Sequence, residues 1–414
     1  MTSELPIRPV SLEEYASFAH VIEHGFGGEP DAEELHEQER ELLEFDRTLA
    51  VIDDDRPVAS AAAYSFQMSV PGGQPVPTAG VTWVAVMPTH RRRGILTRLM
   101  RRQLDDIHAA GREPIAALWA SESSIYGRFG YGRATSTLSF VVPRAYNQLR
   151  PVPGTADLRV RLVEPSDSLA GAHAIYEHER SRRPGVPDLP NEKWVQARVL
   201  FPESRREGGS PLRTLLVEDA SGALRGYARY STKSTWERTG AAGTATVREL
   251  HAVDAAATAK AWEYLLNLDL TTTTRTYNRA SDDPLLDLLV DPRRAAPEWG
   301  DGLYVRIVDV GAALSARRYA TPVDVVIDVR DPFCDWNSGS WRLKADPAGA
   351  HCERSDPTAD LSLDVRELGA VYLGGTSLVA LAGAGLVTEH RAGAVTALST
   401  ACRHEPAPWT PFVF

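Results

Sequence analysis

Three adjacent arginines, Arg91, Arg92 and Arg93, close on Gly94 within VTWVAVMPTHRRRGILTRLM, residues 81–100. An apolar run leads to Pro88, and a helical pattern follows the glycine. Such a triplet can be a solvated basic patch, a nucleic-acid contact or a cradle for one compact anion. The chain carries a formal net charge of -10, so as a whole it repels nucleic acid and anionic lipid. A single small polyanion is therefore the expected ligand, with no nucleic-acid partner. A helix starting at Arg92 to Gly94 exposes N–H groups that lack intrahelical partners, and its dipole favours negative charge there. Gly94 lets a ligand approach the main chain closely, and arginine adds charge-assisted bonds to phosphate oxygens. The unit reads as a diphosphate site. It has neither the G-x-x-x-x-G-K-[ST] of a P-loop nor the G-x-G-x-x-G of a dinucleotide loop.

The elements that must position this loop follow from the punctuation of the chain. At 414 residues the chain exceeds one hydrophobic core and divides into two or three domains. Residues 1–143 alternate short strands (49–53, 58–66, 78–86, 115–120 and 138–142) with helical segments. VPRAYNQLRPVPGTADLR is a connector, a second α/β block starts at residue 160, and a third unit begins near Gly302 with the strands LYVRIVDV and VDVVIDV. That unit is expected to end in an apolar helix and a last strand before Phe414. The boundaries adopted are 1–150, 151–301 and 302–414. The uncharged stretch LGAVYLGGTSLVALAGAGLV, residues 368–387, is as long as a membrane span. Its four glycines and strand-like flanks make it a buried helix after a glycine turn, so no span is expected.

Cys334, Cys352 and Cys402 lie far apart, without a C-x-x-C pair or a histidine at ligand spacing, so neither a disulfide framework nor a metal site is expected. A reducing cytoplasm fits this usage. The N-terminus has no basic segment followed by an apolar core, so no signal peptide is expected.

The first two blocks read as a degenerate repeat. TAGVTWVAVMPTHRRRGILTRLMRRQL and TATVRELHAVDAAATAKAWEYLLNLDL each run from a strand through a short loop into an amphipathic helix. In the second copy the loop is Asp254-Ala255-Ala256-Ala257, with neither arginine nor glycine. Any two βα units share this much, so the pattern alone leaves common origin open.

VAVMPTHRRRGILTRLM resembles motif A of the GNAT acetyltransferases, in which R/Q-x-x-G-x-G/A holds the pyrophosphate of acetyl-coenzyme A (acetyl-CoA); here Leu96 stands at the final small position. WASESSIYGRFGYG resembles a later motif of that superfamily. Together with the doubled block and the third unit, these motifs resemble the Eis (enhanced intracellular survival) N-acetyltransferases over the whole chain, and there leucine at the position of Leu96 is usual. The resemblance implies an α/β (α+β) architecture of two tandem GNAT domains, the second degenerate, followed by a sterol carrier protein-like domain. It implies acetyl-CoA as co-substrate, a small-molecule amine acceptor such as an aminoglycoside or a lysine side chain, and a homo-hexamer.

Carried over residue by residue, the resemblance implies that Val84, Ala85 and Val86 pair with the pantetheine arm. Arg92, Arg93, Gly94, Ile95, Leu96 and Thr97 serve the diphosphate, Ser121 and Glu122 flank the thioester, and Phe26 and Trp83 line the acceptor cleft. Tyr126 corresponds to the general acid, and Phe414, through its terminal carboxylate, to the general base. Chemically, acetyl transfer to an amine needs a proton acceptor for the amine, a donor for the leaving thiolate and N–H groups for the developing oxyanion. Without the resemblance, Tyr126 is a core aromatic and Phe414 an ordinary chain end. The acidic segment EPDAEELHEQERELLEFD, residues 29–46, either attracts polycations or is a solvated helix face. Two rivals remain, a non-catalytic acyl-CoA-binding protein with a retained GNAT fold and a lipid carrier built on the third unit.

Overall fold

The computed structural model describes residues 5–27, 32–356 and 358–414. The chain forms two compact units, one of residues 1–135, 302–408 and 413–414, the other of residues 136–301 and 409–412.

The first unit holds two sheets. The first has strand order β1-β2-β3-β4-β5-β16-β6, comprising β1 (Ile7–Arg8), β2 (Thr48–Asp53), β3 (Arg56–Ser69), β4 (Pro75–Val86), β5 (Ile115–Trp119), β6 (Gly132–Arg133) and β16 (Leu303–Ile307). Helices α1 (Tyr15–Phe26) and α2 (Glu33–Leu42) precede β2, α3 (Ile95–Ala110) joins β4 to β5, and the short α4 (Ser123–Tyr126) follows β5. Helix α3 buries Ile95, Leu99, Met100, Leu104 and Ile107, one helical stripe; each such side chain contributes roughly 1.5–3 kcal/mol of burial. The second sheet of this unit runs β19-β18-β17-β20-β21, from β17 (Val323–Arg330), β18 (Gly339–Ala345), β19 (Ala350–Arg354), β20 (Leu361–Asp364) and β21 (Val387–Glu389). It carries α9 (Val310–Ser315), α10 (Val365–Val371), α11 (Leu378–Gly383) and α12 (Ala394–Cys402).

The second unit is built on one sheet of order β15-β7-β14-β13-β10-β9-β8, with β7 (Ser136–Pro143), β8 (Arg159–Val163), β9 (Arg213–Glu218), β10 (Leu224–Lys233), β13 (Gly243–Ala252), β14 (Thr271–Ala280) and β15 (Glu298–Asp301), plus a ribbon of β11 (Trp236–Glu237) and β12 (Gly240–Ala241). Its helices are α5 (Leu169–Arg180), α6 (Glu192–Ala197), α7 (Ala255–Leu266) and α8 (Leu285–Leu288). Within it Glu249 is buried against Arg229 Nη1 at 2.7 Å, Arg198 at 3.3 Å and the Tyr227 hydroxyl at 2.8 Å.

Four expectations change here. The strand at 138–142, assigned to the first block, pairs as β7 with β14 in the second unit. LYVRI, assigned to the third block, pairs as β16 with all of β5 and with β6. Every residue of β16 is buried, so it needs cover on both faces, and its Arg306 pairs through Nη2 with the buried Asp331 at 2.6 Å. Residues 368–387 form no single buried helix: α10 precedes the Gly374–Gly375 turn and is largely buried, whereas α11 after it buries only Leu378. Among the described residues no helix is long and apolar enough to cross a membrane. Finally, residues 403–414 follow α12 without a strand.

Candidate active site

The site opens where β4 and β5 part. Their parallel ladder covers only Thr78–Gly80 against Ile115–Ala117, and beyond it the inner edge of β4 has no strand partner among the described residues. On its other edge β4 pairs with β3, Ser60 opposite Ala85 and Ala62 opposite Thr82, so Trp83 and Val84 bulge opposite Ala61 alone. Trp83 takes the left-handed conformation, φ 56°, rare for an aromatic residue. The bulge is held by Ser60 Oγ donating to the Trp83 carbonyl at 2.8 Å, by Trp83 Nε1 donating to the Tyr64 hydroxyl at 3.2 Å, and by Phe18 stacked on the indole at 5.5 Å. Backbone strain is thus stored at the point where the strands splay.

Two adjoining cavities line this opening. One, of about 660 Å³, is bordered by Val84, Ala85, Val86, Arg92, Gly94, Ile95, Leu96, Thr97, Ser121, Glu122 and Tyr126, with Phe26, His90, Arg91 and Arg128. Arg92 and Gly94 are both left-handed, φ 61° and 76°, and Gly94 caps α3 without a side-chain cap of its own. A Cβ on Gly94 would meet nothing within 4 Å, so open space lies before the helix start. Unsatisfied N–H groups, a left-handed loop and an exposed arginine make a cradle that fits a diphosphate. Arg91 is tied up instead, donating to the Gly25 carbonyl at 2.6 Å and the Val86 carbonyl at 3.3 Å. Arg93 stands exposed between the two left-handed residues and does not border the cavity.

The other cavity, of about 390 Å³, is lined by Ile22, Glu23, Phe26, His36, Glu39, Trp83, Val84, Trp119, Ser121, Tyr126, Val413 and Phe414, among others. Tyr126 and Ser121 border both cavities. The Tyr126 ring is buried, edge-on to Tyr131 at 6.0 Å and Phe129 at 6.5 Å. Its phenol is pushed up to about 12, first by burial and then by the neighbouring Glu122 carboxylate. The Phe414 ring meets Phe66 edge-on at 5.0 Å, and a Cβ on Gly80 would come within 2.5 Å of Phe66 and 3.2 Å of Phe414. Glycine at 80 is what leaves the last side chain its seat.

Glu23, His36 and Glu39 form an acidic wall that the sequence did not single out one by one. Tyr15 links them, its hydroxyl 3.2 Å from His36 Nδ1 and donating to Glu39 at 3.3 Å, while His36 Nε2 lies 3.3 Å from Glu23. Burial and Glu39 push the Tyr15 phenol well above its ordinary value. The signal was the acidic run at 29–46; its residues 33–42 form α2, one face of which packs through Leu35, and residues 29–31 lie outside the described residues. Aromatic walls with carboxylates suit a polar cation.

The second βα turn is closed. Asp254 caps α7, accepting from the Ala257 N–H at 2.8 Å and pairing with Arg225 at 2.5 Å. A carboxylate already satisfies the helix start that in the first copy is open.

Residues 6–134 match an acetyltransferase (GNAT) domain model, residues 189–307 a second acetyltransferase (GNAT) domain model, and residues 310–411 a sterol carrier protein domain. An uncharacterized N-acetyltransferase of Streptomyces avermitilis is 46% identical over 408 residues, 99% of each chain. N-acetyltransferase Eis of Mycobacterium tuberculosis is 36% identical over 361 residues, 83% of this chain and 84% of its own. The crystal structure of Eis1 from Mycobacterium abscessus matches with a TM-score of 0.83 and 34% identity, covering 99% of this chain and all of that one. The tandem domain plan and the likeness to these relatives along nearly the full chain show that it belongs to the Eis family of GNAT N-acetyltransferases.

Proposed function

We propose that this N-acetyltransferase moves the acetyl group of acetyl-CoA onto primary amines of polycationic acceptors, aminoglycosides at more than one position and lysine side chains, with Tyr126 as acid and the Phe414 carboxylate as base. The observation that carries the reading is that Tyr126 and Phe414, far apart in sequence, line one cavity that adjoins the diphosphate cradle.

Acetyl-CoA supplies a thioester whose carbonyl carbon accepts the amine lone pair and whose sulfur leaves as thiolate. Arg92 and the N–H groups after Gly94 hold the diphosphate, with Ile95, Leu96 and Thr97 beneath it. The freed edge of Val84, Ala85 and Val86 pairs with the pantetheine arm, and an N–H of the bulge stabilises negative charge on the carbonyl oxygen as the C–N bond forms. Arg93 contributes long-range charge. Ser121 and Glu122 border the thioester, and Phe26 and Trp83 hold the acceptor against the Glu23 and Glu39 carboxylates. The Phe414 carboxylate takes the ammonium proton, directly or through one water, and Tyr126 gives its phenolic proton to sulfur as the C–S bond breaks. A carboxylate is a weak base in water, and a dry cleft strengthens it.

The same reading assigns catalysis to residues 1–150, a cofactor-free role to residues 151–301 and the sterol carrier-like fold, with the terminal carboxylate, to residues 302–414. It expects one acetyl-CoA per chain, a hexamer and a cytoplasmic location. Thiol release from acetyl-CoA, measured with aminoglycosides, polyamines and lysine peptides, tests it. Turnover with multiply charged amines supports the reading, and acetyl-CoA binding without turnover on any of the panel overturns it.

A further inference from the structure

Helix α1 gathers a cluster of which the acetyl-transfer reading uses Glu23 alone. His20, Glu23 and His24 stand at i, i+3 and i+4, on one helix face, and one ligand atom from each lies within 4.8 Å of the others. The two imidazoles lie with ring centroids 3.8 Å apart. His24 Nδ1 is 3.1 Å from the His20 carbonyl oxygen, which can only accept, so Nδ1 donates there and Nε2 is the nitrogen left to meet a ligand. A backbone-held tautomer of this kind is the usual support of a metal-bound histidine.

A second element brings a third imidazole to the same carboxylate. His36 Nε2, from α2, lies 3.3 Å from Glu23 Oε1, and His20 Nδ1 lies 3.7 Å from Glu23 Oε2. The Tyr15 hydroxyl gives its one proton to Glu39, so it accepts from His36 Nδ1–H. With Nδ1 turned to Tyr15, His36 Nε2 is the nitrogen that faces the Glu23 carboxylate and fixes its orientation.

We propose that His20, Glu23 and His24 bind one divalent transition-metal ion of the zinc or cobalt type at the rim of the acceptor cavity, with His36 holding the outer oxygen of Glu23. The ion neutralises Glu23 and opposes entry of a cationic amine; this consequence rests on the acetyl-transfer reading, whereas metal binding does not. It departs from the metal-free expectation, which weighed the cysteines and passed over the His-x-x-Glu-His spacing.

The test uses the untagged full chain, stripped with chelator and titrated with Co²⁺ by visible absorption and calorimetry. One Co²⁺ per chain is expected, weakened about tenfold or more by His24→Ala and about 10–100-fold by His36→Ala, with circular dichroism unchanged. Co²⁺ should raise the amine KM of the wild type but not of His24→Ala, whose metal-free kinetics stay as wild type. Absent saturable Co²⁺ binding, or binding untouched in both variants, overturns the site, and the acetyl-transfer reading stands. Normal Co²⁺ binding without acetyl transfer to any amine supports the site and counts against that reading alone.

Discussion

Replacing Tyr126 by phenylalanine removes one hydroxyl from a ring whose packing against Phe129 and Tyr131 survives. A near-isosteric swap of this kind costs less than about 1.5 kcal/mol of stability. The chemical cost is larger. With the phenol pushed up to about 12, its proton is held more tightly than in water by roughly 2.7 kcal/mol. That looks too tight for an acid that must protonate a thiolate, since a thiol in water has a pKa of about 8.5. The same burial acts on sulfur, however. Two buried thiols of this protein, Cys334 and Cys352, are pushed up to about 11 and about 12, in both cases first by burial. Burial thus moves a thiol in the same direction as the phenol, so a thiolate leaving in a dry cleft is a stronger base than in water.

Loss of a general acid lowers kcat by about 10²–10⁴-fold, or roughly 2.7–5.4 kcal/mol. Steady-state thiol release should show that loss in Tyr126→Phe with the acetyl-CoA KM little changed. Because the phenol keeps its proton through pH 10, the wild type should show no alkaline limb from this group below that pH. An acetyl donor with a more acidic thiol, which needs less help in leaving, should suffer less from the substitution. A kcat within about threefold of wild type, or an equal loss for both donors, would refute the acid role and leave Tyr126 as packing.

Gly94→Val puts a β-branched residue at φ 76° with open space before it; calorimetry should find acetyl-CoA binding abolished while circular dichroism is unchanged, and near-normal binding would move the diphosphate elsewhere. Gly80→Val drives a side chain into Phe66 and Phe414, so kcat should fall far more than acetyl-CoA affinity, with about 1–3 kcal/mol of overpacking cost; unchanged kcat would free Phe414 of any role. A short extension after Phe414 replaces the carboxylate by an amide and should abolish turnover while acetyl-CoA still binds; full activity would place the base elsewhere, with Glu122 next to be tested. Tyr64, Tyr131 and Tyr372 are held above the ordinary phenol value first by burial. Folded protein then binds more protons than unfolded above pH 10, so their stabilisation is complete below that pH and is lost as pH rises towards the folded values. The melting temperature should fall above pH 10, with the share of the 295 nm phenolate absorbance due to these three rings, read by difference from their Phe variants, appearing only on unfolding; its appearance near pH 10 in the folded state would contradict this.

What could be read from the sequence was local. The strand end, the arginines and Gly94 fall within 20 residues, and the demand for a left-handed residue at a helix start is written in one glycine. The segment from Ser121 to Tyr126 is as compact. Strand partnership is not local. LYVRI is equally suited to any sheet that buries both of its faces, and only assembly pairs it with β5. The acidic wall was hidden for a related reason: Glu39 sits in a run of charges that looks like a solvated face, and only the crossing of α1 brings Tyr15 and Glu23 to it. Arg91 misled in the opposite sense, for the first arginine of the triplet is spent on two backbone carbonyls.

The two βα turns separate what a fold supplies from what a site requires. Both present a helix start, with the same dipole and the same unpaired N–H groups. In the first, Gly94 adds no side chain and the loop ahead of it is basic. In the second, Asp254 accepts the Ala257 N–H and is held by Arg225, so an arriving phosphate meets a like charge and one donor already taken. Removing that carboxylate would not restore a cradle, because Asp254 has extended backbone and no left-handed pair precedes the helix. Anion binding here needs charge, backbone curvature and an uncapped helix together. The first turn has all three, and the second lacks each of them.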